Sequence, residues 1–255
     1  MFESKDKLQR TGEKVYAYHN IGTGLFPEGE EKTPHGAGER YNFDRMYFFV
    51  SNYDFYGKNV IDIGCNSGWF CFQTKLLGAK STIGIDYDGT GLMGTAVKYS
   101  KMLEKRFKLG MKFYNQNLEY LNMESILKDN KIKSFDCALV LSVMHHIKDK
   151  KALFQKLYDN VNDVIFYEDH EFWNDLRDYN GNSLELKGEG YRFGWNEDMS
   201  WQQKMMPLET FESKIIATYM NSNRKEDFLL DKFVKIQVLG LSEKRRPVLA
   251  LWKKQ

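Results

Sequence analysis

The stretch NVIDIGCNSGWF, residues 59–70, decides the fold. Val60, Ile61 and Ile63 are strong strand formers, so residues 58–63 read as a buried strand with an acid, Asp62, near its end. Gly64 and Gly68 then bracket Cys65, Asn66 and Ser67, the composition of a tight turn. Residues 68–77 continue as a helix that Gly78 ends. Glycines in such a turn let the backbone come close to a ligand, and the start of the helix offers N–H groups with no partner inside the helix.

Working outward, strands and helices alternate. Residues 81–86, 111–115, 135–141 and 163–167 read as strands, and 90–105, 123–128 and 150–158 as helices. This rhythm predicts an α/β fold: a doubly wound, seven-stranded, mostly parallel sheet with helices on both faces. Residues 232–239 and 247–252 supply the last two strands as an antiparallel C-terminal hairpin with a charged turn. Residues 168–232 form an insertion between strands five and six, polar and aromatic, with a helix over 209–221. Ahead of the first strand, the chain reads as loop up to about residue 40 and as a buried helix over 42–53. A single domain is expected over 1–255, with 1–55 as an N-terminal cap segment.

Composition narrows the class. With 42% hydrophobic and 28% charged residues, the chain is globular and not disordered. A net charge of +2 gives no strong non-specific attraction for nucleic acid. Lys244, Arg245, Arg246, Lys253 and Lys254 cluster near the C-terminus and read as a solvated turn. The three cysteines, Cys65, Cys71 and Cys137, sit in apolar stretches without metal-binding spacing, which predicts reduced core thiols in a cytoplasmic protein. The polar N-terminus lacks a signal-peptide core, and no stretch is long and apolar enough to span a membrane. The sequence leaves the oligomeric state open.

The turn spacing is GxxxG, with Asn66 standing where a pyrophosphate-binding GxGxxG turn has its second glycine. Asp62 would repel a pyrophosphate but attract an ammonium. S-adenosylmethionine carries both an ammonium and a sulfonium. Asp86 ends the second strand, 22 residues after Gly64, where a carboxylate accepts hydrogen bonds from ribose hydroxyls. The third strand leads into NQNLEYL, where the Asn117 amide suits an adenine edge.

VIDIGCNSG (60–68), GID (84–86), FDCALVLSVMHHI (135–147) and the final strand pair together resemble the class I S-adenosylmethionine-dependent methyltransferases. The resemblance covers residues 56–167 well and 232–252 loosely. It implies that Asp62, Gly64 and Gly68 frame the methionine moiety; Cys65 and Asn66, in the same turn, are counted with the cofactor-binding residues, Cys65 by itself reading as a packed thiol. It implies further that Asp86 binds the ribose, Tyr87 stacks near the adenine, Asn117 and Leu118 flank it, and Ser142 lies under the cofactor. The family often has an acid where Asn117 stands. The run ERYNFDR…GKNVIDIGCNSGWF…LGAKSTIGID also resembles, more weakly, the methyltransferases that complete 5-oxyacetic acid at the tRNA wobble uridine. Those enzymes use a carboxylated form of the cofactor.

On the acceptor side, His146 and His170 are candidates for a general base, and Glu168 for contact with the acceptor. Arg40 and Arg45 read either as carboxylate clamps or as surface pairs with Glu39 and Asp44. His145, Trp173, Arg192 and Trp195 are expected to line the acceptor site. The resemblance makes the insertion its location, and aromatics with arginines suit a planar, sugar-like or anionic molecule. No metal site is expected. The leading expectation is methyl transfer to a small polar or carbohydrate-like acceptor by direct displacement. The alternatives are an RNA (tRNA) methyltransferase and an inactive cofactor-binding partner subunit.

Overall fold

The computed structural model describes residues 39–88, 96–170, 208–242 and 246–254, with the side chains of 39–44, 208–212 and 214 outside that description. Its seven-stranded mixed sheet has the strand order β3-β2-β1-β4-β5-β7-β6. The chain divides into two compact units, one built on residues 54–121 and the other on 47–53 and 122–255.

In the first unit β1 (Asn59–Ile63), β2 (Ser81–Asp86) and β3 (Lys112–Asn115) run parallel, with Ile63 opposite Ile85 and Asp86 opposite Asn115. Val60, Ile61, Ile63, Ile83 and Ile85 are all buried, the run expected of strands covered on both faces. Helix α2 (Trp69–Leu76) starts directly from the turn after β1, and α3 (Ala96–Phe107) follows β2. At Gly84, in mid-strand, a Cβ would stand 2.8 Å from Cys65 Sγ and 2.7 Å from the Phe113 ring. Only glycine lets those two side chains lie across β2.

In the second unit β4 (Phe135–Leu141) and β5 (Val161–Glu168) are parallel. β7 (Pro247–Trp252) pairs antiparallel with both β5 and β6 (Lys235–Leu241), so the expected hairpin is present and its first strand is the outer one. Helices α4 (Met123–Asn130) and α5 (Lys150–Asn160) are capped by the side chains of Asn122 and Asp149, which accept the backbone N–H groups of Ser125 and Ala152. α6 (Leu208–Met220) and α7 (Arg224–Asp227) come before β6. Tyr167 packs between Phe154 and Phe228, with ring centroids 5.5 and 4.7 Å away, while Phe166 faces Phe49 at 4.6 Å. Successive residues of β5 thus serve opposite faces of the sheet.

Some boundaries move. The helix expected at 42–53 is α1 (Glu39–Val50), which begins inside the segment read as loop and gives way to a turn at Ser51. β5 starts two residues earlier than expected. β6 starts three later, because Leu229 takes a left-handed conformation and Leu230–Lys232 coil into a 3-10 turn. Residues 89–95, which include the expected helix start at 90–95, lie outside the described residues. Among the described residues no helix is long and apolar enough to cross a membrane.

Candidate active site

The turn after β1 is a compact backbone knot. Three of its five residues have positive φ: Gly64 at 74°, Asn66 at 50° and Gly68 at 81°. The N–H groups of Gly64 and Cys65 both donate to the Ile85 carbonyl, at 2.8 and 3.0 Å, which pulls the turn against β2. Asn66 tolerates its left-handed conformation because its side-chain oxygen accepts the Ser67 N–H at 2.7 Å. Ser100, buried on α3, donates its hydroxyl to the Asn66 carbonyl at 3.1 Å. At Gly68, the N-cap of α2, a Cβ would stand 2.6 Å from the Phe113 ring.

Asp62 lies beneath this turn, 2% exposed, and accepts the Cys71 thiol at 3.5 Å. Burial pushes its carboxyl up to about 7. The Asp86 charge adds to that, and the thiol donor offsets part of it. Burial likewise pushes the Cys65 thiol up to about 11 and holds Cys71 well above the usual thiol range, so both are packed thiols and not thiolates.

Asp86 stands at the tip of β2, partly exposed. One carboxylate oxygen accepts the Asn66 N–H at 2.6 Å and the other the Tyr87 N–H at 2.7 Å, which fixes the plane of the group. Tyr87 beside it is 52% exposed. Asn117 is exposed, but its side-chain oxygen accepts the Glu119 N–H at 2.9 Å and caps a 3-10 turn; the adjoining Leu118 is buried. Asp88 is a residue that sequence reasoning missed. It accepts the N–H groups of Val97 and Lys98, at 2.8 and 3.0 Å, and so anchors the start of α3.

The second unit holds the remaining candidates, at the carboxyl ends of β4 and β5. Ser142 has φ 56° and donates its N–H to the Glu168 carbonyl at 3.2 Å. Its hydroxyl accepts a guanidinium N–H of Arg246, a residue read from the sequence as part of a solvated turn. His145, half-buried, lies between His146 and His170, both exposed, with ring centroids 3.8 and 3.9 Å away. Glu168 is fully buried at the end of β5. Asp169, 2% exposed, accepts the Tyr219 hydroxyl at 3.0 Å and pairs with Arg224, which is 4% exposed. This buried ion pair ties α6 and α7 to the end of β5. Its members are 55 residues apart, and no local pattern announces it.

Arg45 is buried on α1. The Arg40 side chain and all of Trp173, Arg192 and Trp195 lie outside the described residues. Among the described residues no group of three or more His, Cys, Asp or Glu is arranged to hold a metal ion.

A family model described as "Methyltransferase domain" matches residues 37–204. A tRNA U34 carboxymethyltransferase of Dichelobacter nodosus is 25% identical over 122 residues, covering 48% of this chain and 35% of that protein. The protein of the same name from Campylobacter hominis is 31% identical over 109 residues, covering 43% and 34%. The chain therefore matches about a third of the length of these relatives. Among solved structures, the N-terminal domain of EvdMO1 with SAH bound aligns with 99% of this chain and 98% of its own, at a TM-score of 0.57 and 13% identity, a likeness of fold alone.

Proposed function

The chain belongs to the methyltransferase-domain family, and from that premise we propose that it transfers the methyl group of S-adenosylmethionine to a small polar or carbohydrate-like acceptor. When bound, this cofactor supplies a methyl group on a sulfonium, which an acceptor nucleophile displaces directly. The reading rests chiefly on Asp86. Two backbone donors fix its plane, it is partly exposed, and it adjoins an exposed aromatic ring at Tyr87. A carboxylate so held suits a ribose diol, and the ring suits a purine face. Asp62 offers a charge partner for an ammonium, and the positive-φ turn of Gly64, Asn66 and Gly68 gives backbone access for the methionine moiety. These residues bind and orient the donor.

On the acceptor side the chain offers imidazoles. His146 or His170, both exposed, takes the proton from a hydroxyl acceptor, while an acceptor that is already nucleophilic needs no base. Alignment of nucleophile, methyl and sulfur, with water excluded, supplies the rest of the rate. The low net charge favours a small acceptor. The tRNA U34 carboxymethyltransferases among the relatives support a second reading, an RNA acceptor with a carboxylated donor.

Calorimetric titration of the purified protein with S-adenosylmethionine and S-adenosylhomocysteine tests the donor. A radiolabelled-methyl screen of metabolite and RNA fractions then separates the two acceptor classes. Donor binding without transfer to either fraction, from labelled S-adenosylmethionine or from its labelled carboxylated form, would point to a cofactor-binding partner subunit instead.

A further inference from the structure

We propose that the corner formed by Tyr56, Leu76 and Leu77 is a peripheral contact surface for an anionic membrane. It lies in the first unit, at the end of the strands away from the candidate donor site. Helix α2 ends at Leu76, with Leu77 as its C-cap, and Gly78 turns the chain at φ 88°. Leu76 is 69% exposed, Leu77 43% and Tyr56 76%. The tyrosine is held against the helix end. The Gly57 N–H donates to the Gly78 carbonyl at 2.9 Å, and a Cβ at Gly78 would stand 2.7 Å from the Tyr56 ring. The fold thus fixes three large apolar side chains next to one another on its outside, where single scattered ones would be ordinary.

Charge selects the occupant. Residues 54–58 and 75–80, which build the corner, carry Lys58, Lys75 and Lys80 against one acid, Asp54. The Asp54 carboxylate accepts the Tyr56 N–H at 2.9 Å. The Lys75 ammonium donates to the carbonyls of Ala79 and Lys80, both at 2.9 Å, which keeps one cation at the rim. Lys80 is itself exposed. A basic rim around apolar side chains matches a bilayer with anionic headgroups. The leucines reach the acyl boundary, the tyrosine sits at headgroup level, and lysines near the surface add to the attraction. The side chains project from a helix end and a turn, which suits insertion into an interface; a partner helix would call for a groove. β2 starts beside the corner, where the Ser81 N–H donates to the Lys58 carbonyl at 3.3 Å, and ends at Asp86. A strand of this length puts about 17 Å between the corner and the donor edge. Held by the corner, the tip of β2 faces the aqueous phase, where a polar acceptor is met.

The test is co-sedimentation of the full chain with phosphatidylcholine vesicles, with and without phosphatidylserine, in wild type, Leu76→Gln, Leu76→Trp and Lys80→Gln. Wild type is expected to bind the vesicles that contain phosphatidylserine, and to bind them less as salt is raised. Leu76→Gln should weaken that binding about tenfold and Lys80→Gln about fivefold, whereas Leu76→Trp should strengthen it. Thermal midpoints should agree among the four proteins, because both positions are exposed. The strengthened variant separates a membrane contact from a loss of folding. No binding by wild type, or equal binding by wild type and Leu76→Gln, would overturn the proposal. A loss confined to Lys80→Gln would reduce the effect to surface charge and overturn the apolar contact as well. Absence of vesicle binding, together with a dimer in sedimentation that Leu76→Gln dissociates, would overturn it in favour of a second copy of this chain.

Discussion

The backbone N–H of Asn66 donates to Asp86 Oδ2 at 2.6 Å, so the turn after β1 and the tip of β2 are held as one piece. Asp86→Ala removes both the carboxylate offered to the ribose and the latch on the turn. It is expected to weaken S-adenosylmethionine binding by about 1–3 kcal/mol. Calorimetry on the variant checks this, and an unchanged affinity would take the ribose away from Asp86.

Asp62 sets a pH dependence. Its folded value of about 7 stands above the ordinary 3.8. Its contribution to stability is therefore fully present below about pH 4 and is lost as pH rises through about 7. Asp62→Asn is expected to match wild type near pH 4 and to exceed it above pH 7 by on the order of 2–4 kcal/mol, read from urea unfolding at both pH values. A ligand ammonium reverses the burial effect and draws the value back down. Binding of S-adenosylmethionine should then release a proton between about pH 5 and 7, with affinity rising over that range. Calorimetry in buffers of different ionisation enthalpy detects the proton, and its absence at pH 6 would separate Asp62 from the ammonium.

Gly68→Ala places a methyl group 2.6 Å from the Phe113 ring, at a backbone φ of 81°. Both effects act in the same direction, and a loss of about 1–3 kcal/mol in stability is expected from thermal unfolding. A neutral substitution would show that the ring is free to move aside.

The Asp169–Arg224 pair is buried on both sides. Arg224→Met strands a carboxylate and is expected to cost about 3–5 kcal/mol, whereas Asp169→Leu with Arg224→Met recovers most of that loss. The recovery should stay incomplete, because the Tyr219 hydroxyl then lacks its acceptor; adding Tyr219→Phe is expected to restore the remainder. Denaturant midpoints of the three variants give the comparison.

The core of the sheet was legible because its signal is local. Val60, Ile61 and Ile63 run into two glycines within nine residues, and periodicity reports such patterns directly. Asn66 also carried a readable sign, since asparagine is among the few non-glycine residues that accept positive φ. Asp88 could not be read, because the sequence pattern starts the helix at residue 90, whereas its partners Val97 and Lys98 stand in the first turn of a helix that begins at Ala96. Arg224 and Asp169 meet only through the fold, and a run of like charges hides which member turns inward, as Arg246 does. The start of β6 moved because Leu229 takes a conformation that a leucine gives no hint of.

The Phe113 ring lies against both Gly68 and Gly84, and Cys65 shares the second contact. Gly68 reads in the sequence as a concession to a ligand, yet packing within the unit alone would demand it. Divergence at these places is consequently concerted. A chain that trades Phe113 for a small residue releases Gly68 from its closest contact, and a chain that gains a side chain at position 84 must first shrink 65 and 113. The glycine pattern of the turn is thus tied to one aromatic ring on β3, and the cost of a side chain at position 68 or 84 depends on what occupies position 113.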